Sequence, residues 1–232
     1  MRDVGAARYR RRMSRISNAA FHEAEGVDHW RVLFWGAHVF YPMTSYADGA
    51  RFVAAIAEIA EELGHFPDVD LRPEGVVVKT ATEKDGFLSE LDVALAQRVQ
   101  AAATALGLEP DPSKLTVVGV AVAQGEGQDV RPFFEGVLGW ERVGDEDLLD
   151  PLRRGPHFWF HELTPATKGR GRTHIDVSIP ADQARLRLDA ALAAGGRLHE
   201  ELNMPDTWTV ASPDNHGVDI AGWADTSKYT GD

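Results

Sequence analysis

Residues 45–67 read SYADGARFVAAIAEIAEELGHFP, and this stretch sets the architecture of the first half of the chain. Phe52, Ile56, Ile59, Ala60 and Leu63 recur at three- and four-residue spacing, the period of one helix face. Ser45 or Asp48 can cap the start. Gly64 suits the left-handed position that ends a helix without a Cβ penalty. The spacing predicts a helix over 45–63, with His65, Phe66 and Pro67 just beyond its end.

On the N-terminal side, residues 29–41 (HWRVLFWGAHVFY) are rich in β-branched and aromatic side chains and are interrupted by Gly36, which predicts two strands joined by a tight turn. On the C-terminal side, residues 75–82 (GVVVKTAT) read as a strand. Ser89 then opens a second helix. Asp92 stands at the capping-box spacing, and Leu95, Val99, Ala102 and Leu106 form the apolar stripe. The order predicts an α+β fold with helices on one face of the sheet.

Residues 107–113 (GLEPDPS) carry a glycine, two prolines and acidic groups, the composition of a linker. The expected organisation is a basic flexible tail over 1–14, a first domain over 15–107, a linker over 108–113, a second domain over 114–226 and a tail over 227–232. The second domain repeats one plan. Strand 115–123, helix 130–138 and strand-like pieces at 140–143, 148–152 and 157–163 are followed by strand 174–179, helix 181–194 and strands at 197–202, 207–211 and 218–223. Two βαβββ units in tandem are expected.

The chain has 232 residues and a net charge of −12. Six arginines and one aspartate fall within residues 1–15, so the remainder is strongly acidic. An acidic body repels phosphate backbones, which argues against nucleic acid as partner. No cysteine is present, which excludes disulfides, thiolate nucleophiles and cysteine metal sites. No apolar run reaches the length of a membrane span, and the first residues lack a secretory core. The expected location is the cytoplasm, without membrane contact.

With the elements placed, residues 15–106 resemble the pterin-4a-carbinolamine dehydratase family. The likeness rests on DHWRVL (28–33), GARFVAAIAEIAEEL (49–63), the His-x-Pro that follows, VVVKTAT (76–82) and LSELDVALAQRV (88–99). It implies a lyase that removes water from a 4a-hydroxytetrahydropterin, a chemistry that needs a proton donor and a proton acceptor. Imidazole serves both roles near neutral pH. The family motif is Glu-x-x-x-His-His-Pro, with a further histidine in a Thr-His pair after the next strand. Here Glu61, His65 and Pro67 match, while Phe66 and Glu83 stand where two histidines are expected, the latter after Thr82. The resemblance implies His65, Glu83 and Glu61 as catalytic and Phe66, Pro67 and Thr82 as substrate-binding, with Phe66 as a stacking wall. The alternative is that His65 only meets the dipole at a helix end and Glu83 is a solvated strand end.

Residues 115–224 resemble the glyoxalase-like branch of the vicinal oxygen chelate superfamily. FFEGVLGW (133–140), THIDVSIP (173–180), LAAGGRL (192–198) and SPDNHGVDI (212–220) carry the likeness. It implies a half-barrel of two βαβββ units around a cavity, and no certain cofactor beyond a divalent metal held in that cavity. His174, Asp219 and either Glu162 or His161 are the expected ligands; Gly119 stands where the first strand should supply one and offers no side chain. The alternative is that His174 only forms hydrogen bonds within the cavity.

The leading expectation is a dehydrating lyase acting on a small molecule of the pterin class, with a second small-molecule cavity in the C-terminal domain. Two alternatives stand beside it: a metal-dependent chelate-superfamily enzyme whose N-terminal domain only dimerises, and a non-catalytic ligand-binding protein. The family resemblance also implies a homodimer.

Overall fold

A computed structural model describes residues 14–84, 86–163, 173–201, 207–213 and 216–222. They form two compact units, one ending at Leu115 and the other beginning at Thr116. The tails expected over 1–14 and 227–232 lie almost wholly outside the described residues.

In the first unit, β1 (Arg15–Ile16) is followed by α1 (Asn18–His22), β2 (Arg31–Leu33), β3 (Gly36–Pro42), α2 (Tyr46–Leu63), β4 (Asp68–Arg72), β5 (Gly75–Thr80), β6 (Leu88–Ser89) and α3 (Glu90–Ala105). Four strands form an antiparallel sheet in the order β2-β3-β5-β4, and β1 pairs with β6. Ala37, Val39, Tyr41, Val76 and Val78 from the sheet share one core with Phe52, Ile56 and Ile59 of α2 and with Leu95, Ala96 and Val99 of α3. The helices therefore cover one face, as the periodicity predicts.

Two features depart from the sequence reading. The β2–β3 turn falls at Phe34-Trp35, with Trp35 at φ 66°, rather than at Gly36. Gly36 is needed for another reason: its φ is 131°, and a Cβ there would lie 2.3 Å from the Thr80 carbonyl oxygen. The second departure is β4, an edge strand whose Asp68, Asp70 and Arg72 break the apolar signal that marks interior strands. Charged edges of this kind oppose unwanted strand pairing.

Residues 108–113, expected as a linker, and the two residues after them belong to the first unit. The Asp111 N–H donates to the Phe40 carbonyl at 2.9 Å, and Leu115 is buried.

The second unit contains β7 (Val117–Gln124), α4 (Arg131–Leu138), β8 (Glu141–Val143), β9 (Asp147–Leu149), β10 (His157–Glu162), β11 (Thr173–Ile179), α5 (Ala181–Ala193), β12 (Arg197–Glu201), β13 (Thr207–Ala211) and β14 (Gly217–Gly222). They realise the tandem βαβββ plan. One eight-stranded sheet runs β12-β13-β14-β11-β7-β10-β9-β8. In each half the last strand lies parallel beside the first (β10 beside β7, β14 beside β11), and the halves join through the antiparallel β7–β11 pair.

Alternation along the strands separates two chemistries. Val120, Val122, Phe158 and Phe160 pack with Phe134 of α4, while Val177, Ile179, Val218 and Ile220 pack with Ala184 and Leu188 of α5. The opposite face receives His157, Trp159, His161, His174, Asp176 and Asp219.

Candidate functional site

The end of α2 delivers His65 by backbone chemistry. Gly64 adopts φ 63°, its N–H donates to the Glu61 carbonyl at 3.3 Å, and the His65 N–H donates to the Ala60 carbonyl at 3.1 Å. This paired closure satisfies the last orphan carbonyls of the helix and turns the chain back toward the sheet. His65 consequently lies buried, 8% exposed.

Its ring Nε2 is 2.8 Å from Asp92 Oδ1 and 3.1 Å from Thr80 Oγ1. Asp92 is the third residue of α3, and its two oxygens have separate duties. Oδ2 accepts the Ser89 N–H at 2.8 Å, completing the capping box, and also the Thr82 hydroxyl at 2.5 Å. Oδ1 accepts the Thr80 hydroxyl at 2.6 Å and faces the imidazole. Burial pushes the Asp92 carboxyl upward, but hydrogen bonds from His65, Thr80 and Thr82 outweigh it and hold the group below its usual range. An ionised acceptor at Oδ1 assigns the proton to Nε2, leaving Nδ1 of His65 as the ring atom available to a ligand.

The other residues expected at this site are placed differently. Thr82 joins the Asp92 network. Phe66 is 65% exposed and Pro67 is partly buried beside it, so the Phe66 ring is presented to solvent. Glu61 is exposed on α2. Glu83, expected to partner His65, is exposed in the turn after β5, where its carbonyl accepts the Gly86 N–H. The carboxylate that meets His65 is Asp92 instead. The capping-box spacing singled out Asp92 in the sequence, but that role uses only one of its oxygens.

In the second unit, strand register gathers a different set. Asp176 on β11 pairs with Asp219 on β14. His174, two residues before Asp176, shares its face, and its Nε2 lies 3.3 Å from Asp176 Oδ1 and 3.3 Å from Asp219 Oδ2. Hydrogen bonds to Asp176 first and Asp219 second push His174 up to about 9. Trp159 Nε1–H donates to Asp176 Oδ2. The His161 ring lies 4.7 Å from Trp159 and 5.7 Å from His174, centroid to centroid.

Of the expected ligand set, His174 and Asp219 meet, but Glu162 does not join them. It is exposed, and alternation along β10 turns it to the face opposite Trp159 and His161. Asp176 takes its place; His-x-Asp within one strand was the signal that could have identified it. The Gly119 position is also resolved. A Cβ there would lie 2.3 Å from Cε1 of His157, the residue paired with Gly119 in register. The room that a side chain on residue 119 would need is filled by the His157 ring.

A divalent ion implied by the superfamily fits the chemistry of this set. One imidazole and two carboxylates offer one donor atom each, all within 4.8 Å of one another, and these ligand types suit several divalent ions. His174 would have to release its proton to bind.

Comparison with known proteins agrees with these two units. Residues 14–102 match the profile of the family described as pterin 4 alpha carbinolamine dehydratase, and residues 119–221 match a glyoxalase-like domain. A protein of Herpetosiphon aurantiacus named "Putative pterin-4-alpha-carbinolamine dehydratase" is 32% identical over 85 residues, spanning 36% of this chain and 88% of that protein. Proteins of the same name from Thermomicrobium roseum and Mycobacteroides abscessus are 34% and 36% identical over 59 and 55 residues, covering 25% and 24% of this chain and 63% and 58% of their own lengths. Among the described residues no helix is long and apolar enough to cross a membrane. With matching sequence and an α+β unit that carries its histidine on the expected helix end, the chain belongs to the pterin-4a-carbinolamine dehydratase family through its N-terminal unit and bears a glyoxalase-like domain after it.

Proposed function

We propose that the N-terminal unit is a lyase that dehydrates a 4a-hydroxytetrahydropterin or a closely related bicyclic carbinolamine. The observation that supports this most is the buried His65–Asp92 contact at 2.8 Å, braced by Thr80. An ionised aspartate behind an imidazole fixes its tautomer and orientation, an arrangement that prepares the far ring nitrogen for proton transfer. In the reaction the N5–H and C4a–OH bonds break and a C4a=N5 double bond forms, giving quinonoid dihydropterin and water. Nδ1 of His65 takes the N5 proton. The departing hydroxyl takes its proton from solvent, because Phe66 cannot donate one and Glu83 stands exposed in the turn after β5. The exposed Phe66 ring offers a flat apolar surface on which a pterin can stack.

The test is direct. The carbinolamine is generated in the presence of the full chain and dihydropterin absorbance is followed. Faster dehydration by the native protein than by His65→Ala supports the reading; equal rates for the two would remove it.

A second small-molecule site on the face bearing Trp159, His161 and His174 of the glyoxalase-like domain is part of the same reading. It is favoured by the gathering of three rings and two carboxylates on the sheet face opposite the helices. Binding of candidate ligands followed by Trp159 fluorescence tests it; a Trp159→Phe variant with an unchanged signal would count against it.

A further inference from the structure

We infer that the glyoxalase-like domain binds a small apolar acid between α5 and the sheet, with Arg187 holding its carboxylate. The site lies on the helix-covered face, opposite the one bearing Trp159 and His174. It does not depend on dehydratase activity in the first unit.

The internal repeat explains why space is left there. Both helices of the second unit close on a left-handed glycine, Gly139 after α4 (φ 68°) and Gly195 after α5 (φ 92°). Counted from these glycines, Phe134 and Trp140 of the first half correspond to Ala190 and Gly196 of the second. Phe134 and Trp140 fill the core beneath α4, with ring centroids 5.7 Å and 5.4 Å from that of Phe158. At the end of α5 a methyl group and a hydrogen take their places. The result is a cavity of about 480 Å³, where Ala190, Ala191 and Ala194 meet Val210, Val218 and Ile220.

Burial along β11 fades in the same direction. Ile179 is buried, Val177 is partly exposed and Ile175 is 37% exposed, although all three share the helix-covered face. Protein interiors leave few voids larger than a water molecule. The volume instead falls among those of ligand pockets, about 300–1,000 Å³. An apolar guest removes these walls from water and recovers the burial that the alanines forgo.

Charge selects the kind of guest. Arg187 and Ser212 are the only polar side chains lining the cavity, and no acidic residue lines it. Arg185 pairs with Asp189 at 3.0 Å, but Arg187, half-buried two residues away, has no ion-pair partner among the described residues. The last carbonyls of α5 are already used: Ala190, Leu192 and Ala191 accept the N–H groups of Ala194, Gly195 and Gly196, each at 3.0 Å. A carboxylate meets a guanidinium through two parallel hydrogen bonds. The apolar walls require the rest of the molecule to be a hydrocarbon chain or ring.

The experiment titrates the full chain by calorimetry with decanoate and naphthoate, each beside its uncharged alcohol. One equivalent of at least one acid is expected to bind, at least about tenfold more tightly than the alcohol. Arg187→Gln should abolish that preference and leave affinity for the alcohol unchanged. Ala191→Leu should fill the cavity and weaken acid and alcohol alike by at least about tenfold. Ala190→Leu, at an exposed position, makes the same test if Ala191→Leu does not fold. Trp159→Phe, on the opposite face, should bind as the native chain does. The inference is overturned if neither acid binds, if Arg187→Gln or the filled variant keeps native affinity for the acid, or if Trp159→Phe loses it.

Discussion

Asp92 Oδ1 lies 2.8 Å from His65 Nε2, although 27 positions separate the two residues in sequence. Both are buried, and one belongs to the start of a helix while the other follows the end of another. The contact therefore couples the ends of α2 and α3 to the candidate reaction site.

Activity should expose that coupling first. His65→Ala is expected to lower the dehydration rate by on the order of 10²–10⁴, the range of a general acid–base residue. Asp92→Asn, which keeps shape but loses charge, should lower kcat by a factor of at least about 10 while leaving KM nearly unchanged, since it orients the imidazole without touching substrate. Steady-state kinetics on both variants check this. A Asp92→Asn variant with native kcat would show that the carboxylate only caps its helix.

Stability should report the same network. Asp92→Ala leaves the Ser89 N–H, two threonine hydroxyls and an imidazole without their shared acceptor. The expected loss is at least about 3 kcal/mol, since each buried donor left without its acceptor costs about 1–3 kcal/mol. Thr80→Val, which removes one hydroxyl, should cost only about 1–3 kcal/mol. Urea unfolding of the first unit measures both, and the order Asp92→Ala above Thr80→Val is the decisive result.

In the first unit, His38 and Asp92 set two pH windows. His38 on β3 is buried; burial first and Lys79 second push it down to about 3 from 6.5. Because its folded pKa is depressed, the unfolded chain binds this proton first as pH falls. Stability is thus unaffected above about pH 6.5 and declines below it, by up to about 1.4 kcal/mol per pH unit. Asp92, also depressed, contributes stability that is present above its unfolded pKa near 4 and lost as pH falls through the folded one. His38→Gln should flatten stability between pH 6.5 and 4.5 and leave the lower limb in place. Parallel curves for native and variant protein across the upper window would refute the assignment.

Two glycine substitutions separate conformation from space. At Gly64 a Cβ meets nothing within 4 Å, so Gly64→Ala carries only the cost of φ 63°, about 1–2 kcal/mol. Gly119→Ala has no left-handed backbone to contend with but collides with His157, and overpacking of this kind costs about 1–3 kcal/mol. His157→Ala should relieve much of that second cost. Thermal unfolding in a double-mutant cycle gives the coupling, and additive effects of Gly119→Ala and His157→Ala would contradict the packing described.

The regular elements were legible because their signals are local. Ser45, the apolar face of α2 and Gly64 lie within one window, and the strand and helix periods of the second unit alternate cleanly. What stayed hidden was long-range or two-sided. Edge strand β4 carries charge where an interior strand carries apolar residues. Asp92 was visible as a cap, but its second oxygen acts across 27 residues. Asp176 has no place in the family pattern, which puts the third ligand on β10, where alternation turns Glu162 to the other face. The missing ligand at Gly119 reflects a volume exchange between neighbouring strands that sequence order alone does not display.

The glycine-closed end of α2 also makes that helix a ruler. Each helical residue advances the chain by about 1.5 Å and about 100°, so the direction in which His65 leaves the helix is indexed to the 18 residues before it. Inserting or deleting one alanine in α2 would rotate that exit by more than a quarter-turn relative to its packed face. The imidazole would part from Asp92 even though no residue in contact with either had changed, so the spacing between Phe52 and His65 is itself a determinant of the site.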